Sequence, residues 1–427
     1  MTRSIAIILC LAALIGATTA QADNWPKFRG PSGNCLTEET NLPADWSAAE
    51  NVAWKASIPG RGWACPVVWG KSVFIATAVE ADGVYRWELY CLDVATGGVS
   101  WKQVCREGEP RTPTHGVNTY ASETPVTDGE RVYAYFGMHG VYCYDFNGTP
   151  VWEKDLGAFP MMNGWGTSSS PVLHDGLLLL QIDNEEQSFI VALDAETGDE
   201  RWRADRDEIT SWSTPLIWTN SLRTELVAGG QIVTSYDPAT GDVLWTLGMA
   251  GGRSSASPTA VGDMLYVANE ERTRPGRSDE GGGVLRAVKA GGSGDITPAE
   301  GETTGEFVAW STPHCGVQMS SPLVYGGWIY ILDRQGAELN CYNATTGEPA
   351  YVDMDVPDAK RFWASPWGYD GKVFAMDEDG LTHVIEPGDT LNVIDTNALG
   401  DTVWSTPAIS NGALFIRGVD GVYCIKP

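Results

Sequence analysis

The chain has 427 residues, of which 43% are hydrophobic and 19% charged, with 49 glycines and 18 tryptophans. A formal net charge of −27 excludes a nucleic-acid groove or a face for anionic lipid, since both need clustered Lys and Arg. The apolar and aromatic content excludes an acidic disordered chain and describes a Trp- and Gly-rich β protein.

In chain order, residues 1–22 read as an export signal. Arg3 gives the positive start, Ile5 to Ile15 the apolar core, and Ala20-Gln21-Ala22 a small-residue cleavage pattern. That run is too short to favour a membrane span, and Cys10 sits inside it rather than at its end. The mature chain is expected to be exported, periplasmic or extracellular, monomeric and without a membrane span. Residues 23–50 are expected to form an N-terminal strap.

Residues 51–427 carry a repeat. Pro66, Pro125, Pro171, Pro215, Pro258, Pro322, Pro366 and Pro407 each follow a small residue and precede an apolar, strand-like run. The spacing fits four-stranded propeller blades of roughly 40–50 residues. One such unit cannot bury its own faces, so the units must pack around an axis. The longer intervals after Pro66 and Pro258 enlarge blades 1 and 5. The expected fold is all-β, an eight-bladed β-propeller of four-stranded antiparallel blades.

Blade 3 shows the unit clearly. Ser169 to Leu173 opens the inner strand, Leu177 to Ile182 makes the second and Ser188 to Leu193 the third. Asp194-Ala195-Glu196-Thr197-Gly198 turns the chain into the outer strand around Trp202. Trp101, Trp152 and Trp245 hold the same place in blades 1, 2 and 4, Trp310 nearly so in blade 5, and Tyr351 substitutes in blade 6. These rings are expected to be buried as wedges between sheets; blade 7 has Asn392 instead. The chain ends after the third strand of blade 8, so Asn51 to Lys55, with Trp54, is expected to supply its missing outer strand and close the ring.

Eight cysteines follow the leader. Cys91, Cys143, Cys341 and Cys424 occupy equivalent third-strand places, filled by Ala192 and Ser235 in blades 3 and 4, and read as free packed thiols. Cys35, Cys65, Cys105 and Cys315 could pair, with no connectivity readable.

The pattern Ala-x-Asp-x-x-Thr-Gly-x-x-x-Trp, best seen from Ala192 to Trp202, resembles the tryptophan-docking repeat of pyrroloquinoline-quinone (PQQ) propellers. The opening Trp25-Pro26-Lys27-Phe28-Arg29-Gly30-Pro31 is similar to the leader of exported PQQ-like repeat proteins. That resemblance spans essentially the whole mature chain. It implies either a BamB-like assembly factor or a quinoprotein dehydrogenase. The adjacent-cysteine pair that dehydrogenases of this shape hold over their cofactor is missing, and their calcium ligands and catalytic aspartate find no matching positions.

Outer-to-inner connections and the hairpins between strands two and three share one face in such blades. That rim collects Trp63, Trp212, Trp363 and Trp404 three residues before their prolines, with Tyr120, Trp165 and Phe362 nearby. Aromatics at a channel mouth could hold a planar or carbohydrate-like ligand, or simply plug the channel. Asp183 and Asn184 could serve a hard cation such as Ca²⁺, although a solvated acidic turn is the favoured reading, and Asp377 to Gly380 reads as a plain turn. Arg253, Gln318 and, on a loop above them, Arg274 complete the candidate rim. Arg272, Arg274 and Arg277 could clamp an anion or merely populate a surface loop. No His-Glu-x-x-His, Walker loop or Gly-x-Ser-x-Gly elbow is present. The favoured reading is an exported, non-catalytic binding or scaffolding propeller without a cofactor or metal site. Its partner would be a protein, small molecule or glycan at the propeller face. The alternatives are a PQQ-dependent oxidoreductase using Ca²⁺ and acting on alcohols or sugars, and a glycan-binding propeller.

Overall fold

The computed structural model describes residues 24–249, 252–270, 283–333 and 336–427. The expected signal segment and Arg274 lie outside the described residues. Eight sheets are present among those residues, seven of four strands and one of five, each blade following its neighbour in sequence. The inner strands all start immediately after the repeat prolines: Val67–Trp69, Val126–Thr127, Val172–His174, Leu216–Thr219, Thr259–Val261, Leu323–Tyr325, Trp367–Tyr369 and Ala408–Ser410. A proline has no N–H for a ladder, which makes it a natural strand entry.

The ring closes as expected. Val52–Ala56 pairs antiparallel with Val422–Ile425, bringing Trp54 opposite Cys424. This seam turns the two chain ends into the outer half of blade 8 and leaves no inner blade edge unpaired there.

The outer-strand tryptophans dock onto the following blade. Trp54 Nε1 donates to the Val94 carbonyl at 2.9 Å, Trp101 to Phe146 at 2.8 Å, Trp152 to Ala195 at 3.0 Å and Trp202 to Pro238 at 3.0 Å. Each ring lies over the glycine of the receiving turn, so closely that a Cβ on Gly97, Gly198 or Gly241 would fall 2.5–2.7 Å from the ring. The burial expectation needs one correction. Trp202 is only half-buried, whereas Trp245 is fully buried. The difference comes from blade 5, whose connection after Val284–Lys289 reaches back and adds Gly294–Asp295 as a parallel fifth strand against Trp245. There Trp245 Nε1 donates to Glu225 Oε2 at 2.6 Å rather than to a turn carbonyl.

None of the eight described cysteines forms a disulfide, so Cys35, Cys65, Cys105 and Cys315 are not paired with one another. Cys91, Cys143, Cys341 and Cys424 are buried, as their third-strand positions imply. Among the described residues no helix is long and apolar enough to cross a membrane.

The segment from Asn24 crosses the inner strands of several blades. Trp25 bridges Val68 of blade 1, Pro26 accepts from Thr127 of blade 2, and Leu36 bridges Gly368 of blade 7. Arg29, 2% exposed, donates to the Pro258 and Pro322 carbonyls and to Thr259 Oγ1 in blades 5 and 6. Asn34 exchanges two hydrogen bonds with the Val324 backbone. One short segment thus ties together blades that are far apart in sequence.

Candidate functional site

The residue before each repeat proline does more than start a strand. The backbone N–H of Cys65 donates to Thr124 Oγ1, Thr124 to Ser170, Ser170 to Thr214, Thr214 to Ser257, Ser257 to Ser321, Ser321 to Ser365 and Ser365 to Thr406, all at 2.9–3.0 Å. Thr406 completes the circle through hydrogen bonds to the Cys65 thiol. Eight blades are therefore laced by a closed belt in which seven acceptors are hydroxyls and one is sulfur. Burial pushes the Cys65 thiol up to about 12, against the Thr124 and Thr406 hydrogen bonds that favour its thiolate.

The belt lines a central cavity of about 500 Å³, within the roughly 300–1,000 Å³ of small-molecule sites. Phe28 of the N-terminal segment reaches it, and Trp63, Trp165, Trp212, Trp363 and Trp404 line it. The tryptophans form two stacks. Trp404 lies between Trp363 (centroids 4.0 Å, 12°) and Trp63 (4.6 Å, 22°), while Trp165 and Trp212 are 5.7 Å apart at 30°. The first stack belongs to blades 7, 8 and 1 and the second to blades 3 and 4, which lie across an eight-membered ring. All five rings are half-buried. Stacking uses up both faces of Trp404, so that residue offers the cavity an edge.

Between the stacks are polar sectors. On the side of blades 5 and 6 stand Ser255, Glu270 and Gln318, with Ser255 Oγ donating to Glu270 Oε1 at 2.5 Å. Gln318 Nε2 donates to Asp333 at 3.1 Å, while its Oε1 is buried with no partner. On the side of blade 2 stand His115, Asn118 and Ser122, with Ser122 Oγ donating to Asn118 Oδ1 at 2.6 Å. Behind Ser122, burial pushes the Glu123 carboxyl up to about 7 even though Thr167 donates to it.

Of the sequence-derived rim residues, the five tryptophans and Gln318 line this one cavity. Four of the others do not. Tyr120 packs edge-on against Tyr85 and Trp87, at centroid distances of 5.0 and 6.1 Å. Asp183 is not a solvated turn residue. Its side chain and that of Arg206 are 0% and 1% exposed, and they meet at 2.8 Å. Asn184 is spent on its own hairpin, its Oδ1 accepting from the Glu186 and Gln187 amides. Arg253 is buried and lies 3.7 Å from Glu185. The Asp377 turn is the plain turn expected, with Oδ1 accepting from Asp379 and Leu381.

Sequence reasoning missed the belt, Glu270, His115 and Asn118. The belt had a visible signal, a hydroxyl before seven of the eight prolines; the other three had none. A broader depression of about 670 Å³ does open among the Thr-Gly turns of blades 3 and 4. Its ionic groups face one another, with Arg201 on Asp194 at 2.5 Å and His174 on Asp175 at 3.5 Å, and no Trp, Tyr or Phe is among its described lining residues. The central cavity is the better candidate.

The described lining does not match the quinone cofactor. PQQ carries three carboxylates, and the described lining of the cavity holds Glu270 but no Lys or Arg. Nor do the described residues contain a group of three His, Cys, Asp or Glu able to hold a metal ion.

A closed ring of PQQ-type repeats with tryptophan docking defines the class, and the comparisons agree. The chain belongs to the PQQ-like repeat propeller family. The family described as "Outer membrane protein assembly factor BamB" matches residues 44–203, 86–264 and 137–350. No curated protein matches. Among solved structures, BamB from Moraxella catarrhalis is 14% identical with a TM-score of 0.57, covering 87% of this chain and 95% of its own. A europium-containing methanol dehydrogenase is 11% identical with a TM-score of 0.61, covering 94% and 89%. The quinohemoprotein alcohol dehydrogenase from Comamonas testosteroni is 12% identical with a TM-score of 0.58, covering 94% and 80%. At such identities the likeness speaks for the fold, and the fold hosts both kinds of protein.

Proposed function

We propose that this protein is an exported, non-catalytic binding propeller that takes a small polar ligand into its central cavity. The observation that carries the reading is the cavity itself, about 500 Å³ between two tryptophan stacks with a belt of hydroxyls in its wall. Convergent polar groups within a partly aromatic enclosure are what small-ligand sites are built from. Among the described lining residues the carboxylate held by Ser255 stands without a nucleophile–base pair, and that lining offers no Lys or Arg to the quinone, which favours binding over catalysis.

Five of the 18 tryptophans line the cavity, so ligand entry should change intrinsic fluorescence. The test is a fluorescence and calorimetric screen of small polar compounds, with PQQ plus Ca²⁺ as a separate arm. Saturable one-to-one binding weakened by Trp404→Ala supports the proposal. Stoichiometric PQQ uptake with dye-linked alcohol oxidation overturns it in favour of an oxidoreductase. A protein partner that binds without any cavity ligand overturns it in favour of a scaffold.

A further inference from the structure

We infer that the ligand of this cavity is a neutral saccharide, held on the wall formed by blades 4 to 6. The inference rests on the binding reading above and names the chemistry that the wall selects. Three features converge there. Trp212 lines the cavity and meets one other ring among the described residues, Trp165, in a tilted contact at 5.7 Å and 30°, which leaves indole surface for a ligand. A sugar ring presents patches of C–H groups, and an aromatic face is their natural platform. Two planar polar groups line the same cavity, the Glu270 carboxylate and the Gln318 amide, whose Oε1 is buried and has no partner among the described residues. An unpartnered buried acceptor is costly, and a ligand hydroxyl relieves that cost.

The belt supplies the third feature. Ser170, Thr214, Ser257, Ser321 and Ser365 are each at least nine-tenths buried and line the cavity. Each hydroxyl oxygen accepts one backbone N–H. Among the described residues none donates its own proton. A hydroxyl so placed keeps one donor and one lone pair. A row of such groups matches a partner that is itself both donor and acceptor at every position, as a polyol is. An anion would use only the donors and would meet Glu270; a cation would find one carboxylate among many hydroxyls. The neutral polyol satisfies both halves of the row.

The experiment titrates the full exported chain with neutral oligosaccharides and with uronate and sulfated counterparts of equal length, read by calorimetry and tryptophan fluorescence. Trp212→Ala and Gln318→Leu are compared with the parent, with circular dichroism and thermal melts as the folding check. Saturable binding of a neutral saccharide, weakened at least tenfold by Trp212→Ala and at least tenfold for the uronate, is the expected result. Should Trp212→Ala fail to fold, saturation-transfer NMR on the parent replaces it, with transfer from indole protons to sugar ring protons expected. Saccharide binding that neither variant weakens, or without indole transfer, overturns the assignment of this wall. Binding of some other small molecule but no saccharide sinks the inference and leaves the binding reading intact. If no small molecule binds at all, both fall.

Discussion

The docking of Trp202 onto Gly241 allows a clean test of what holds neighbouring blades together. Gly241 has φ +78°, and a Cβ there would lie 2.5 Å from Trp202 Cε3. Gly262 has φ +55° and nothing within 4 Å of the same position. Alanine at either site meets the left-handed backbone penalty of about 1–2 kcal/mol, partly offset by about 0.4–1 kcal/mol from a stiffer unfolded chain. Only at Gly241 must an indole also be displaced, an overpacking cost of about 1–3 kcal/mol. Gly262→Ala is therefore expected to destabilise by about 1 kcal/mol, and Gly241→Ala by about 2–4 kcal/mol. Urea unfolding followed by fluorescence and circular dichroism gives both values. The decisive step is the cycle with Trp202→Ala. Without the ring, Gly241→Ala should cost no more than Gly262→Ala. If the excess persists in that background, the penalty is backbone strain alone, and the packing account of the docking repeat is wrong.

Other outcomes follow from the belt and the buried acids. Cys65→Ser should close the belt with an eighth hydroxyl and raise stability by about 0.5–1 kcal/mol, whereas Cys65→Val, which cannot accept the Thr406 N–H, should lower it; thermal melts of the pair decide this. Burial pushes the thiols of Cys65, Cys105, Cys143 and Cys341 up to about 12 and those of Cys91 and Cys424 up to about 11, so at pH 8 native protein should alkylate slowly at all of them and rapidly after unfolding. Glu123 is raised from 4.5 to about 7, so the folded state binds its proton more tightly than the unfolded chain does. Its destabilising effect is absent below pH 4.5 and complete above pH 7, on the order of 3 kcal/mol. Glu123→Gln should thus raise stability at pH 8 and leave it nearly unchanged at pH 4.5, the difference between variant and parent cancelling the opposite trend from His139, which burial lowers to about 4.

Much of the architecture is legible in the chain because the repeat writes it eight times. The prolines mark strand entries, the Thr-Gly turns mark the outer hairpins, and the tryptophan four residues later marks the docking contact. Closure was legible for the same reason: Trp54 stands in an orphan strand with the right residue in the right place. The site was legible only where it too repeats. The rim tryptophans recur at one offset from their prolines, so topology alone brings them together. Asp183 has no such periodic frame, and its burial depends on Arg206, which reaches it from the far end of the outer strand. Trp245 escaped the pattern because a segment of blade 5 covers it, a contact between strands of different repeats.

The belt explains why one position serves both fold and site. A hydroxyl before proline is a small group that can accept the neighbouring blade's N–H, and seven of them with the Cys65 thiol, in register around the axis, set the radius of the channel. Larger side chains there would fill the space that the belt surrounds. Among the described residues the inner wall is polar, with no Lys or Arg and a single carboxylate, Glu270, in a protein of net charge −27. Acids such as Asp194, Glu196 and Asp199 stand on outer turns. A negative exterior around a hydroxyl-lined wall disfavours the approach of anions. On the proposed reading, structural lacing and ligand chemistry are two consequences of the same Ser/Thr-Pro step.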